Sequence, residues 1–213
     1  MGIRTAIIGA TGMIGSRIVA EAAHRGHTVT AASRSVERSQ EPTVTSLNAD
    51  ATDSTAMSAL AREHDVLILA TRPTPGDEHL VRGPARTVLA AALEADRRVV
   101  VIGGSAPLTT PDGTGLVIDD LRFVRSEWQS IARASIEQFD ECTRSSADWV
   151  YVSPPAVIEP GERTGSYVLG TETLLVDETG SSWISAEDFA VMVVDQLEKP
   201  EAGFRHLTAR AAS

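Results

Sequence analysis

The chain has 213 residues, 42% of them hydrophobic, and a formal net charge of −10. That length can bury one sizeable core, the charge argues against the basic stripe that a nucleic-acid surface needs, and no apolar run reaches the ~18 residues of a membrane span. The only cysteine, Cys142, excludes an internal disulfide and a cysteine-cluster metal site. The N-terminus shows no secretory h-region, because the apolar run Ile3 to Ile8 is broken at once by glycine. The expectation is a cytoplasmic protein forming one domain over 1–213, with 154–213 as a small substrate-side elaboration.

Ile3 to Ile8 reads as a buried parallel strand, followed by Gly9-Ala10-Thr11-Gly12-Met13-Ile14-Gly15 and then by a helix carrying Ile14, Ile18, Val19, Ala22 and Ala23 at near-helical spacing. The glycines allow a sharp turn and close approach of the backbone to a pyrophosphate on the helix N-terminus. Their spacing, G-x-x-G-x-x-G, differs by one residue from G-x-G-x-x-G. Thr28 to Ala32 then predicts a second strand, and Thr43 to Leu47 a third. Ser54 to Glu63 predicts a helix capped by Asp53 or Ser54.

Val66 to Ala70 is a strongly apolar strand that runs into the loop Thr71 to Gly76 and a helix reaching about Asp96, its start delayed or kinked by Gly83-Pro84. Arg98 to Ile102 is another all-apolar strand. Residues from Gly103 to about Ser126 form a long Pro-, Gly- and Asp-rich loop expected to line a substrate pocket. Ser126 to Ser145 predicts a helix with Trp128, Ile131, Ser135, Phe139 and Cys142 on one stripe, where the thiol behaves as a small hydrophobe. Trp149 to Ser153 is a strand ending at Pro154-Pro155. Tyr167 to Leu169 and Thr173 to Val176 suggest a small strand pair, Ser185 caps a helix over 186–198, and a short strand over 205–208 closes the chain. Strands apolar on both faces and alternating with helices predict an α/β fold: a Rossmann-type, doubly wound parallel sheet covered on both sides, with a small C-terminal elaboration.

In such folds an acidic residue about 20 positions past the glycine turn binds the ribose hydroxyls, whereas a basic one accommodates a 2′-phosphate. Here Ser33-Arg34-Ser35 follows the second strand, and no acid comes before Glu37. A guanidinium there can pair with phosphate and stack on adenine, and the flanking hydroxyls can donate. NADP(H) is therefore expected ahead of NAD(H), the competing reading of Arg34 being a solvated residue that opens a helix. Asp50 and Ala51 are placed to meet the adenine edge, although Asp50 also suits a turn or helix cap.

Taken together, the glycine turn, Arg34, Asp50 to Asp53, Val101 to Gly104, Asp148 to Pro155 and Ile184 to Ala190 give a chain that resembles the atypical short-chain dehydrogenase/reductase superfamily. The branch it resembles is the NAD(P)H-binding one, with flavin reductase, biliverdin reductase B-like and NmrA-like proteins, and the resemblance covers nearly the whole chain. It implies a pyrophosphate over Thr11, Gly12, Met13 and Ile14, an adenine-ribose side at Ser33, Arg34 and Asp50, a cofactor followed by Ala70, Thr71 and Arg72, and Ser153, Pro154 and Pro155 beside the nicotinamide. One departure stands out. Ordinary superfamily members use a Tyr-x-x-x-Lys pair, but neither Tyr151 nor Tyr167 has a lysine four positions on, and Lys199 is the only lysine.

Proton delivery then has to come from elsewhere. Ser105, just past Gly103-Gly104, is the candidate catalytic hydroxyl, weighed against a plain turn residue. Arg72 contacts a phosphate or an anionic substrate, or is merely exposed; Tyr151 reads as core, Tyr167 as a weak pocket candidate, and His79 as a solvated residue that opens a helix. The other histidines lack metal-ligand spacing and no metal is expected. The expected activity is NADPH-dependent reduction of a small planar or carbonyl acceptor such as a flavin or quinone, by a monomer or weak homo-oligomer. The alternatives are a non-catalytic NADP(H)-binding sensor of the NmrA-like kind and, ranked lower, an epimerase or dehydratase acting on a nucleotide-linked sugar.

Overall fold

The computed structural model describes residues 2–35, 37–74, 76–199 and 205–212. Pro75, in the loop after the fourth strand, lies outside them, as does Pro200. The chain runs β1 (Arg4–Ile8), α1 (Met13–His24), β2 (Thr28–Ser33), β3 (Val44–Asn48), α2 (Ser54–Glu63), β4 (Val66–Leu69), α3 (Arg82–Ala95) and β5 (Arg98–Ile102). After a long loop come α4 (Gln129–Arg144), β6 (Trp149–Ser153), β7 (Val157–Glu159), β8 (Tyr167–Gly170), β9 (Trp183–Ser185), α5 (Ala186–Glu198) and β10 (His206–Ala211).

The main sheet has the order β3-β2-β1-β4-β5-β6-β10-β8. Every neighbouring pair is parallel except β8 with β10. The period-two alternation of side chains explains why the central strands are apolar throughout. Val66, Ile68, Val100, Ile102, Val150 and Val152 enter one core with Ile18, Ala22, Phe189 and Val193 of α1 and α5. Leu67, Leu69, Val99, Val101, Trp149 and Tyr151 enter the other with residues of α2 and α3 and Cys142 of α4. Leu67, Ile68 and Leu69 are fully buried, and each such side chain contributes about 1.5–3 kcal/mol over leaving it exposed. Both faces are thereby committed, and the loops at the carboxyl ends of the strands remain available for function.

Several local expectations need correcting. Thr173–Val176 does not pair with Tyr167–Leu169: β8 pairs antiparallel with β10. Thr173 makes one bridge to Thr109, and Leu174 is buried in a third small core with Leu108, Val117 and Val124. That core gathers much of the long loop after β5 against α4. Trp128 is 52% exposed, because it ends a short 3-10 turn and α4 begins only at Gln129. The parallel pair β7–β9 has no counterpart in the sequence pattern, and the last strand runs to Ala211 rather than stopping at Thr208. Asp53, not Ser54, caps α2, accepting from the N–H groups of Thr55 and Ala56. The 3-10 turn Glu78–Val81 precedes α3, in keeping with a start delayed by Gly83-Pro84.

Candidate functional site

The sheet order reverses between β1 and β4, so the crevice of a doubly wound fold opens where these two strands end, at Gly9 and Ala70. Gly9 has φ +93°, a conformation that L side chains rarely adopt, and a Cβ on it would overlap the Ala70 carbonyl. A Cβ on Gly15 would overlap the Gly9 carbonyl. The turn is pinned to its neighbours by Gly9 N–H and Ala10 N–H donating to Ala32 O (2.9 and 3.1 Å) and by Gly12 N–H donating to Gly9 O (3.0 Å). The first and third glycines thus let α1 close down onto the end of β1.

The N-terminus of α1 has no side-chain cap and no acidic residue in its first turn. Its unpaired N–H groups and dipole favour an anion. Thr11 and Met13 are exposed beside it. The Thr11 and Ser33 hydroxyls lie 2.8 Å apart, which joins the glycine turn to the end of β2.

Arg34 and Ser35 follow, both exposed. The Arg34 guanidinium is one of the influences that lower the Asp50 pKa, but the larger ones come from Thr52, whose N–H and hydroxyl donate to the carboxylate at 2.8 and 2.7 Å. Asp50 therefore serves as a turn cap that also faces a cation. Ala51 is buried in the core with Met57, which leaves its backbone as the part that can face the crevice. Ala70 donates its N–H to Ile8 O (2.7 Å); Thr71 beyond it is half-buried and Arg72 exposed. A hollow of about 540 Å³ at the β3 edge, walled by Arg38, Glu41, Val44 and Ser46 among others, includes none of the residues at the ends of β1, β4 and β5.

At the end of β5, Gly103 and Gly104 fit over bulkier neighbours. A Cβ on Gly103 would overlap the Tyr151 ring, and one on Gly104 would press on Ser135. Ser105 is half-buried. Its carbonyl accepts from Leu108 N–H (3.0 Å), forming the turn that starts the long loop. On β6, Ser153 is fully buried and its hydroxyl donates to Gly104 O at 2.7 Å. The same oxygen lies 2.8 Å from His206 Nε2 on β10. With the serine proton given to Gly104, the histidine donates through Nε2. Burial pushes the His206 pKa down to about 4, so the ring is neutral near pH 7. Pro154 and Pro155 are buried directly beyond.

The remaining candidates are internal or solvated. Tyr151 is fully buried; its hydroxyl donates towards Ser135 O (3.0 Å) and Gln138 Oε1 (3.2 Å), and burial raises its pKa. Tyr167 donates to Asp195 (2.7 Å), and burial followed by that hydrogen bond raises its pKa. Cys142 is buried, and desolvation pushes its thiol up to about 12. His79 is exposed. Sequence reasoning missed His206 as a partner of the β5–β6 end. Its link to Ser153 spans 53 residues and depends on β10 inserting beside β6, for which no local pattern exists.

Strand order and glycine turn define a Rossmann-type, doubly wound protein. A family profile described as NAD(P)H-binding matches residues 9–200, and the chain belongs to that family, in keeping with its resemblance to atypical short-chain dehydrogenases/reductases. It is 33% identical over 202 residues to the uncharacterized protein YwnB of Bacillus subtilis, covering 93% of this chain and 94% of that one. A candidate exported protein from Burkholderia pseudomallei has a crystal structure 38% identical in sequence, with a TM-score of 0.85 over 98% of this chain and 99% of that one. A candidate NADH-flavin reductase from Streptococcus pneumoniae is 29% identical, with a TM-score of 0.89 over 99% and 100% of the two chains. Among the described residues no helix is long and apolar enough to cross a membrane.

Proposed function

We propose that the protein is an NADPH-dependent reductase of a small planar or carbonyl acceptor, such as a flavin or quinone. The observation that carries the reading is the cradle at Gly9 and Gly15, where a Cβ would strike backbone, beside an uncapped helix N-terminus. Such a cradle fits a pyrophosphate. The bound nicotinamide coenzyme supplies the hydride that reduces the acceptor. In this reading the pyrophosphate lies over Thr11, Gly12, Met13 and Ile14, held by N–H groups of the turn other than that of Gly12, which is given to Gly9 O, and Ser33, Arg34 and Ser35 meet the 2′-phosphate. Asp50 and the Ala51 backbone border the adenine, and Ala70, Thr71 and Arg72 follow the coenzyme. Ser153, Pro154 and Pro155 form a dry wall beside the nicotinamide, and the Ser105 hydroxyl faces the acceptor and relays to it a proton taken up from solvent. The flavin reductase candidate from Streptococcus pneumoniae supports the acceptor class.

One observation favours a second reading, a non-catalytic NADP(H)-binding sensor. Both tyrosine hydroxyls are spent on internal acceptors, and neither tyrosine has a lysine four positions on. Mixing the purified protein with NADPH and a panel of flavins, quinones and aldehydes, and following loss of the reduced nicotinamide absorbance, separates the two. Turnover supports the reductase; tight NADPH binding without turnover supports the sensor. The coenzyme preference is tested with Arg34→Ala, which is expected to weaken NADPH by about 10–100-fold, the worth of a charge-assisted hydrogen bond, while leaving NADH nearly unchanged. An unchanged preference removes Arg34 from this role.

A further inference from the structure

A buried polar pair bridges β6 and β10, towards the β8 side of the sheet. Ser153 and His206 sit on adjacent parallel strands, 0% and 5% exposed, and the His206 ring packs against those of Phe139 and Tyr151. Desolvating a hydroxyl and an imidazole is costly unless each finds a partner. Here the protons are ordered in one direction: His206 Nε2–H to Ser153 Oγ (2.8 Å), then Ser153 Oγ–H to Gly104 O (2.7 Å). Consecutive hydrogen bonds in a low-dielectric interior polarise one another and strengthen the chain. Its last acceptor is the peptide immediately before Ser105. The residue is fixed on the other side too, since Ser105 O accepts from Leu108 N–H, and Leu108 is fully buried.

We propose that His206 and Ser153 are positioning residues: together they lock the Gly104 carbonyl and so set the place of Ser105 at the end of β5. This rests on the reading of Ser105 as the hydroxyl that faces the acceptor. Gly103 and Gly104 suit the role, because the missing Cβ atoms let the turn lie directly on Tyr151 and Ser135, so that the carbonyl can reach the buried serine. Neither positioning residue has to touch substrate. The neutral histidine acts as a fixed donor, and the serine passes that orientation to the turn.

The test uses the full-length protein with Ser153→Ala, His206→Leu and His206→Gln, the last retaining an N–H donor at a similar reach. Two readouts are taken: amide hydrogen exchange at Leu108, and steady-state kinetics with NADPH and FMN or a soluble quinone. Ser153→Ala and His206→Leu are expected to speed Leu108 exchange and lower kcat, each by about tenfold, the factor equivalent to one net buried hydrogen bond. In His206→Leu, whose residue lies off the coenzyme wall, NADPH affinity and the acceptor KM are expected to hold within about twofold. His206→Gln is expected to restore both readouts. Faster exchange spread evenly over the core, or kcat and NADPH affinity falling together in His206→Leu, overturns the proposal, as does His206→Leu matching wild type in both readouts. If wild type fails to oxidise NADPH with any acceptor, the reductase reading fails on that result, and the exchange data still decide whether the pair locks the turn. Should Ser153→Ala not fold, the contrast between His206→Leu and His206→Gln decides the same question.

Discussion

Gly12 and Gly15 look alike in sequence but face different surroundings. A Cβ on Gly15 would overlap the Gly9 carbonyl, which is backbone and cannot swing aside, whereas one on Gly12 would come to 3.3 Å from the same atom. Alanine within a helix gains roughly 0.5–1 kcal/mol over glycine, but overpacking against a fixed group costs about 1–3 kcal/mol, so the overlap wins at Gly15. Gly15→Ala is therefore expected to be destabilised by about 1–2 kcal/mol and to lose coenzyme affinity as α1 is pushed off the turn. Gly12→Ala, at the cap position, is expected to cost less than about 1 kcal/mol. Denaturant titration and calorimetry of the two variants check the order; equal losses, or a larger one at Gly12, would contradict it. Cys142 gives a second contrast at this scale. Its sulfur is buried with Trp149 and Tyr151 in one core and its thiol is held near 12 by burial, so the nucleophilic thiolate is scarce in the native state. A disulfide reagent is expected to label it only as the protein unfolds, with a midpoint that coincides with loss of secondary structure; rapid native labelling would show that the site opens locally.

Between elements, one set of ion pairs joins α1, α5 and the segment before β8. Glu21 on α1 is 5% exposed and accepts from Arg25 Nε (2.7 Å) and from Arg163 Nε and Nη2 (2.7 and 2.9 Å), while Arg25 reaches on to Asp195 and Glu198. The Arg163 hydrogen bond, opposed by burial and aided by Arg25, lowers the Glu21 pKa to about 2. Because the folded pKa lies below the unfolded value, the stabilisation is complete above the unfolded pKa of about 4.3 and is lost as pH falls towards 2. A depression of this size corresponds to at most about 3 kcal/mol. Glu21→Gln is expected to lose about 2–4 kcal/mol at neutral pH, because two guanidinium groups lose their shared carboxylate, and its stability is expected to fall less steeply than wild type between pH 4.5 and 2. Denaturant midpoints across that range check the sign, and parallel wild-type and variant curves would refute it. Apart from the i,i+4 pair Glu21–Arg25, these pairs link residues up to 173 apart, as Arg25 with Glu198, so no spacing rule could reveal them. Helices α1, α2 and α5 and the central strands were legible because periodicity and capping act locally. The segment Thr173–Val176 misled because β-branched and apolar residues suit a strand and a loop core equally well, and here Leu174 joins the loop core.

Over the whole molecule, the sheet class followed from strands apolar on both faces, and the crevice from the glycine turn that precedes α1. The insertion of β10 between β6 and β8, and with it the His206 partner of Ser153, depends on chain reversal over long distances that composition does not encode. Coenzyme binding is measurable at this scale without any substrate. A ligand that binds only the folded chain stabilises it by about 2.7 kcal/mol when present at 100 times its Kd. For a chain of this size each kcal/mol raises Tm by about 2–4 °C. NADPH is therefore expected to raise Tm by about 5–10 °C under those conditions, with NADH giving less at equal concentration because it lacks the phosphate that Arg34 would meet. In Arg34→Ala the NADPH shift is expected to fall to that of NADH, which stays nearly unchanged, since only the extra phosphate loses its partner. In Gly15→Ala both shifts are expected to shrink together, since the pyrophosphate seat is common to the two. Thermal unfolding of the three proteins with each coenzyme separates these cases. Equal shifts with NADPH and NADH in wild type would leave the seat intact but remove the preference, and no shift with either would remove the coenzyme from this crevice.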